Sequence, residues 1–197
     1  MNDLIIIGAG GHGRVCADIA ALNGYQTVRF LDDREGAAEG PAAAFARYLP
    51  DCDFFVAIGH NGTRKTFIQA ILNAGGRLVS LIHPNSTVAR SATVGVGSVI
   101  MAGAVVNPGA VVGKGVILNT CCSVDHDCSI GEYAHISVGT HLAGTVEIGE
   151  GVLVGAGATV INNLAIADHA VIGAGGVVID EITEPGTYVG VPVRKIR

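Results

Sequence analysis

Residues 94–118 read VGVGSVIMAGAVVNPGAVVGKGVIL, and an aliphatic side chain returns at every sixth place: Val94, Ile100, Val106, Val112 and Leu118. Followed outward, the series has seventeen members without a miss. Ile82 and Val88 precede these five, and Val124, Ile130, Ile136, Leu142, Ile148, Val154, Val160, Ile166, Ile172 and Val178 follow. Aliphatics are about a quarter of ordinary sequence, so chance does not produce such a run. A period of six fits neither an amphipathic helix nor a long alternating strand. It predicts a hexapeptide β-helix, in which each short strand lays one branched side chain inward before the chain turns.

A longer period lies over the first. Gly95, Gly113, Gly131 and Gly149 follow their aliphatics at intervals of 18, as do Gly155 and Gly173. Three hexapeptides per coil make a three-sided prism, and these glycines are expected to give the tight corners their conformational freedom. Four residues after each aliphatic the side chain is usually small, as at Ala92, Ser98, Ala104, Ala110, Cys122, Cys128, Ala134, Ala158, Ala170 and Gly176. A narrow triangular core packed at protein density requires this. At strand spacing the prism should be roughly 27 Å long.

The 197 residues, with 29 Gly, 15% charged residues, 5% aromatics and no Trp, suit a turn-rich solenoid and argue against disorder. A net charge of −5 gives no support for a nucleic-acid partner. No apolar run is long enough to span a membrane and no basic leader opens the chain, so a soluble cytoplasmic protein is expected. Five cysteines without a CxxC are no disulfide framework, and Cys122 and Cys128 fall in the small inward column.

Before residue 80 the pattern changes. Leu4-Ile5-Ile6-Ile7 reads as a buried parallel strand running into Gly8-Ala9-Gly10-Gly11-His12-Gly13, with a helix over 14–22. Strands are expected at 28–31, ending at Asp32-Asp33, at 54–58 and at 78–81. The stretch 36–46 is expected to be a loop or short helix. Asn61 is expected to cap a helix carrying Phe67, Ile68, Ile71 and Leu72 on one face. A strand, GxGxxG turn and helix form the arrangement that receives a pyrophosphate on backbone N–H groups, and Asp32 stands where an acid takes a ribose hydroxyl. Only half the strands of a dinucleotide fold are present, so a single nucleotide diphosphate fits better than NAD. His12, inside the turn, is either a loop residue contacting backbone or a ligand contact. The chain divides into a nucleotide-sugar-binding unit at 1–80, a prism at 81–183 and a tail at 184–197.

The prism breaks its own rule at Leu118-Asn119-Thr120-Cys121-Cys122-Ser123 and Val124-Asp125-His126-Asp127-Cys128-Ser129, where Asn119 and Asp125 replace the glycine. His126 between two carboxylates is the composition of a prepared general base. Strand neighbours point to opposite faces, so without a bend only one of Asp125 and Asp127 can meet the ring. His126, His135 and His141 invite a metal reading, since γ-class carbonic anhydrases carry zinc on such a prism. They would sit at different faces and heights, and no metal is expected. His60 and His169 read as solvated loop residues and His83 as a structural residue at the joint.

With GAGGHG, FLDD, AIGHN, the DHD stretch and a closing VGVPVRK, the whole chain resembles bacterial sugar acetyltransferases of the NeuD type. It is most similar to N-acetyltransferases of nucleotide-linked 4-amino-4,6-dideoxy sugars, the bacillosamine-pathway enzyme among them. The resemblance implies a Rossmann-like α/β domain followed by a left-handed parallel β-helix, a homotrimer, and acetyl-CoA held between neighbouring prisms. It implies His126 as general base, Asp127 as its acidic neighbour and Asn119 near the acceptor amine. His135 and Gly144 fall beside the thioester, with Ala156 and Ala174 also assigned to acetyl-CoA. Gly8, Gly10, Gly11, His12, Gly13, Asp32, Asp33 and Gly59 are assigned to the nucleotide sugar. Val193 departs from the Ala common in the final turn. Lys114 is the only Lys or Arg between Ser91 and Val193, so the CoA phosphates are left to backbone amides, Lys114 or the tail Arg194, Lys195 and Arg197.

The expected activity is therefore acetyl transfer from acetyl-CoA to the 4-amino group of a UDP-linked amino sugar. The alternatives are O-acetylation of a sialic acid, N-acetylation of a GDP-linked sugar such as perosamine, a zinc hydratase, and a binding scaffold.

Overall fold

The computed structural model describes residues 3–34, 36 and 38–197. The chain opens with strand β1 (Leu4–Ile7), helix α1 (Gly11–Leu22) and strand β2 (Val28–Leu31). A 3-10 helix at Ala42–Tyr48 precedes β3 (Asp53–Val56), α2 (Asn61–Asn73) and β4 (Arg77–Leu78). The four strands form one parallel sheet in the order β2-β1-β3-β4. Every side chain of β1 is buried because the sheet is covered on both sides. Leu4 and Ile6 pack with Ile19 and Ala20 of α1, while Ile5 and Ile7 pack with Phe54, Val56 and the α2 residues Ile68 and Ile71. Leu72, expected on that face, is exposed.

Local details differ from the expectation in instructive ways. Helix α1 starts at Gly11, three residues early, so His12 and Gly13 stand in its first turn. Gly13 is obligatory there, because a Cβ would lie 2.0 Å from the Gly8 carbonyl oxygen. Asn61 is not the cap of α2. His60 is, its Nδ1 accepting from the Thr63 N–H at 3.2 Å, which frees the Asn61 side chain to work elsewhere. The expected strand at 78–81 is two strands in two sheets: β4 ends the first sheet, and Leu81–Ile82 begins the prism. The stretch 36–46 contains the 3-10 helix from Ala42; Ala37 lies outside the described residues.

From Leu81 to Val178 seventeen two-residue strands follow at intervals of six. Up to the strand at Thr159–Val160 each pairs in parallel with the strand 18 residues on, as in Ile117↔His135↔Leu153. The result is three faces, which begin at Leu81, Thr87 and Thr93 respectively. After the first strand, whose Ile82 is exposed at the prism's end, the second residue of each strand points inward, and Ile100, Leu118, Ile136, Val154 and Ile172 are all fully buried. The small column fills the gaps, and its polar members are satisfied: Ser98 Oγ donates to the Gly113 carbonyl and Thr140 Oγ1 to that of Gly155, each at 2.9 Å. Cys122 and Cys128 are buried members of this core, and burial pushes the Cys122 thiol up to about 12.

The corners correct one reading of the glycines. Those at 95, 113, 131 and 149 do not supply the left-handed conformation. They let coils approach, since a Cβ on Gly131 would stand 2.5 Å from the Gly149 backbone. The left-handed residue comes two places later and recurs every six: Gly97, Gly103, Gly109, Gly115, then Cys121, Asp127 and Tyr133 with φ of 57°, 58° and 59°. A non-glycine residue held there costs about 1 kcal/mol or more. Three in succession mark the stretch where the prism departs from its pattern.

The α/β unit packs on the first face. That face's outward residues Leu81, Val99 and Ile117 are buried against α1, and the column then turns polar at His135. At the far end a hairpin, Thr187–Gly190 with Val193–Lys195, extends the first face and covers the core with Tyr188 and Val193. Among the described residues no helix is long and apolar enough to cross a membrane.

Candidate active site

Two polar clusters stand out, on different edges of the prism. The first occupies the corner between the second and third faces. His126 Nδ1 lies 2.9 Å from Asp127 Oδ2. The left-handed backbone at Asp127 is the bend that lets an adjacent carboxylate reach the ring. Asp125 is committed otherwise, its Oδ1 accepting from the His126 N–H and from Asn107 Nδ2, both at 2.7 Å. The choice left open by the sequence thus falls to Asp127. Its hydrogen bond, with the charges of both carboxylates, raises His126 above the ordinary 6.5. The backbone N–H of His126 and the Asn107 amide in turn lower Asp125.

Two glycines make room for this pair. A Cβ on Gly109 would lie 2.3 Å from Asp127 Oδ1, and one on Gly144 would lie 2.6 Å from His126 Cε1 and Nε2. The ring therefore packs against Gly144 of the next coil, held at Nδ1 and with no hydrogen bond to Nε2 among the described residues.

The second cluster lies where the first face meets the α/β unit. Asn119 Nδ2 is 3.1 Å from His135 Nε2, and the Asn119 side-chain oxygen is taken by the Thr120 N–H at 2.8 Å. The amide therefore presents its NH2 to the ring, which fixes Nε2 as acceptor. The His12 ring of α1 lies about 4 Å from the buried Cys16 thiol, and a proton on it would oppose one on His135. Burial, with the nearby Arg64 guanidinium, holds both histidines down at about 4. Both are neutral at physiological pH.

Asn119 thus partners His135 and makes no hydrogen bond with the His126–Asp127 pair. Ala156 and Ala174 sit on the Asn119 edge, one coil apart, where the Gly175 N–H bonds the Ala156 carbonyl. Gly144 belongs to the His126 edge. His141 points out of the second face and pairs with Ser123 Oγ at 2.9 Å. Among the described residues no three His, Cys, Asp or Glu side chains gather to hold a metal ion.

The glycine turn is braced from beside it. Gly8, at φ +105°, sits where a Cβ would meet the Ala57 carbonyl oxygen at 2.7 Å. Asp32 Oδ2 accepts from the Ala9 N–H at 2.7 Å, and both its oxygens are gripped by Arg34 at 2.8–2.9 Å, which holds the carboxyl well below the usual range. Asp33 accepts from the Ala42 N–H at 2.9 Å. Arg34, unremarked in the sequence, places Nη2 3.5 Å from a Cβ built on Gly10 and puts a cation over the turn. Asp32, Asp33, Gly40 and Pro41 line a hollow beside it. Gly59 lies in another, formed by Gly59–Gly62 opposite Leu153, His169 and Val171. His60 is exposed as expected but caps α2, and His169 occupies a left-handed corner at φ 60°.

A hexapeptide-repeat β-prism with a glycine-turn α/β unit at its N-terminal end and a histidine–carboxylate pair on a corner defines a hexapeptide acyltransferase. Residues 3–71 match the PglD N-terminal domain family, and residues 127–162 match the bacterial transferase hexapeptide family. The chain is similar to the acetyltransferase domain of PglB from Neisseria gonorrhoeae (39% identity, 100% of both chains, TM-score 0.96). It is also similar to PerB from Caulobacter crescentus, solved with CoA and GDP-perosamine (32% identity, 100% of this chain and 98% of that one, TM-score 0.96). A curated relative, UDP-N-acetylbacillosamine N-acetyltransferase of Bacillus subtilis, is 37% identical over 103 residues, 47% of this chain and 48% of that protein. The aligned part thus spans about half the length of that relative. The chain belongs to the PglD/NeuD-type family of hexapeptide-repeat sugar acetyltransferases, whose fold is an α/β domain followed by a left-handed parallel β-helix.

Proposed function

We propose that the protein transfers acetyl from acetyl-CoA to the 4-amino group of a UDP-linked 4-amino-4,6-dideoxy sugar, acting as a homotrimer. The observation that carries this reading is the His126–Asp127 pair, built on a strained corner with one ring nitrogen held and the other open. His126 Nε2 takes the proton that the sugar amine loses as its nitrogen attacks the thioester carbonyl. Asp127 stabilises the imidazolium, and the CoA thiolate departs as the new amide forms. An unprotonated amine is already nucleophilic, so no acyl-enzyme is required.

Support for the acceptor comes from the relatives, one named for UDP-N-acetylbacillosamine and one solved with GDP-perosamine. The α/β unit supplies a glycine turn and the first turn of α1 for the diphosphate, with Asp32 and Asp33 at the ribose and base end. His135 with Asn119, Gly144, Ala156 and Ala174 would line the acetyl-CoA groove. These residues fall on two edges of one prism, which favours a site completed by a neighbouring copy. Three-fold closure provides three such grooves with no open edge.

Complementation tests both the chemistry and the assembly. His126→Ala alone should lower kcat by roughly 10²–10⁴-fold. His135→Ala alone should also be impaired. Co-expressed, the two should regain activity at about a quarter of the grooves, since only those pair an intact His126 with an intact neighbouring His135. No regain in folded mixed oligomers would refute the shared site, and normal turnover in His126→Ala would remove it from the reaction.

A further inference from the structure

Arg64 of α2 is the largest fully buried side chain among the described residues, 1% exposed, and none of those residues gives it a carboxylate partner. The other buried ion, Asp53, is conventionally paired with Arg77 and with the Tyr25 hydroxyl at 2.8 Å. The Arg64 guanidinium is met by neutral oxygens alone. Nε donates to the Gly115 carbonyl at 2.8 Å, and Nη1 to those of Ile58 and Gly59 at 2.9 and 3.1 Å. Nη2 donates to Asn61 Oδ1 at 2.8 Å and to the carbonyls of Tyr133 and Ala134 at 2.6 and 3.3 Å. Desolvating an ion costs several kcal/mol, and packing alone would be served as well by an apolar side chain of similar size. A cation kept here without a counter-ion calls for a reason beyond stability.

Its acceptors supply one. Gly115 and Tyr133 are the left-handed residues of two stacked corners on the edge between the third and first faces. Asn61, bonded to Arg64, reaches the next corner of the same edge through Nδ2 and the Gly151 carbonyl at 2.8 Å. Arg64 and Asn61 together thus fasten the loop at 58–61 to three successive coils. The middle coil is the one in which Ala134 is followed at once by His135. The prism side of the joint is anchored in this way, and so is the end of β3, which lies against the glycine turn through Ala57 and Gly8.

We propose that Arg64 is a positioning residue for acetyl transfer: its guanidinium sets the register between the nucleotide-binding turn and the prism, and it holds the Asn119–His135 pair in its hydrogen-bonded arrangement. The inference rests on the proposed function for its catalytic part. Its electrostatic part stands independently. Burial is the first cause that lowers His135; the charges of Arg64 from α2 and His12 from α1 add to it, the Gly59 backbone acts the other way, and Asn119 from the preceding coil holds Nε2. The two charged or chargeable neighbours are both cationic when protonated, so a proton on His135 is opposed from both helices. Only the neutral ring can accept from Asn119 Nδ2 at Nε2. Burial lowers Arg64 itself to about 10, which still leaves it charged at neutral pH.

The test compares Arg64→Met and Arg64→Lys with the wild-type chain. Imidazole NMR titrations would be assigned through His12→Gln and His135→Gln, and kcat and KM measured for UDP-4-amino sugar and acetyl-CoA. In the wild type His135 should titrate well below 6.5. In Arg64→Met its midpoint should move toward 6.5 while that of His126 stays put, and kcat should fall by up to roughly 100-fold, the cost of about 1 Å of misplacement. Arg64→Lys keeps a charge but cannot fork across several carbonyls, so the titration should stay low while kcat remains reduced. A residue that merely stabilises the joint would lower the melting temperature and leave both the His135 midpoint and kcat unchanged, and that result overturns the proposal. If Arg64→Met does not fold, the wild-type titration and Arg64→Lys decide: an ordinary His135 midpoint, or full activity with Lys, refutes it. A wild-type protein unable to acetylate any nucleotide-linked amino sugar would refute the functional reading, with the His135 titrations still deciding the role of Arg64.

Discussion

Gly144→Ala separates the stability of the prism from the geometry of its base. The glycine has an ordinary φ, so alanine adds no backbone strain, and the loss of unfolded-state freedom favours the variant by about 0.4–1 kcal/mol. The new methyl meets one obstacle, the His126 ring, at 2.6 Å where ordinary contact begins at 3.4 Å. The ring must therefore retreat by about 0.8 Å, the difference between those two distances. It is free to do so, since the His126 side chain is 58% exposed. A shift of that size strains or breaks the 2.9 Å hydrogen bond to Asp127 and moves Nε2 off its line to the substrate. The expected outcome is a melting temperature within a few degrees of wild type and a kcat lower by roughly 10²-fold. With the bond to Asp127 weakened, the His126 midpoint should move down toward 6.5. Gly131→Ala is the control, because its Cβ meets backbone at 2.5 Å and the coils themselves would have to part. That variant should lose about 1–3 kcal/mol of stability or more, read from urea unfolding. Wild-type turnover and an unshifted His126 titration in folded Gly144→Ala would refute the assignment of this corner to catalysis.

Acid should destabilise the protein through His12 and His135. Both sit at about 4 when folded against 6.5 when unfolded. The unfolded chain therefore binds more protons between these values, and stability should fall as pH drops from about 6.5 to 4, by about 3 kcal/mol per histidine. His135→Gln should flatten that slope in urea titrations, and a slope unchanged by both His12→Gln and His135→Gln would contradict their neutral burial. Asp32→Ala frees Arg34 and the Ala9 N–H, so KM for the nucleotide sugar should rise while KM for acetyl-CoA holds; equal rises in both would argue against a separate nucleotide site. For the His126–Asp127 pair, kcat should fall with acidification along a limb centred above 6.5, and Asp127→Asn should bring that limb down, since His126 acts only when unprotonated.

What could be read from the sequence follows from how local each cause is. The aliphatic period survives inspection because each inward position is set by its own hexapeptide. The small column is legible for the same reason. The left-handed corner is illegible in the sequence because it is filled indifferently by Gly115, Cys121, Asp127, Tyr133 and His169, so composition hides a strictly repeated conformation. That also concealed the choice between Asp125 and Asp127, which turns on a φ angle. Residue preference points to Asn61 as the helix cap, although an imidazole such as that of His60 can accept as well as an amide oxygen. Arg64 left only a faint trace, a cation on the buried stripe it shares with Ile68 and Ile71. Its acceptors at Gly115 and Tyr133 are 51 and 69 residues away, beyond any local pattern.

The 18-residue register between stacked strands also fixes how such a chain can change length. Removing one residue from a coil would turn every later inward side chain toward solvent, whereas removing a whole coil would leave each remaining strand with a partner of the same kind. Between Leu81 and Val178 the prism thus changes length by whole coils; only beyond them does the spacing shorten, where Val171 pairs with Thr187, 16 residues on. Excising the coil 143–160 would test that directly: it would spare the Asn119–His135 contact but delete Gly144 from beneath His126, and bring Ile161 and Asn162 to that corner instead. Changes in length among the regular coils are then coarse adjustments of which corner faces which ring.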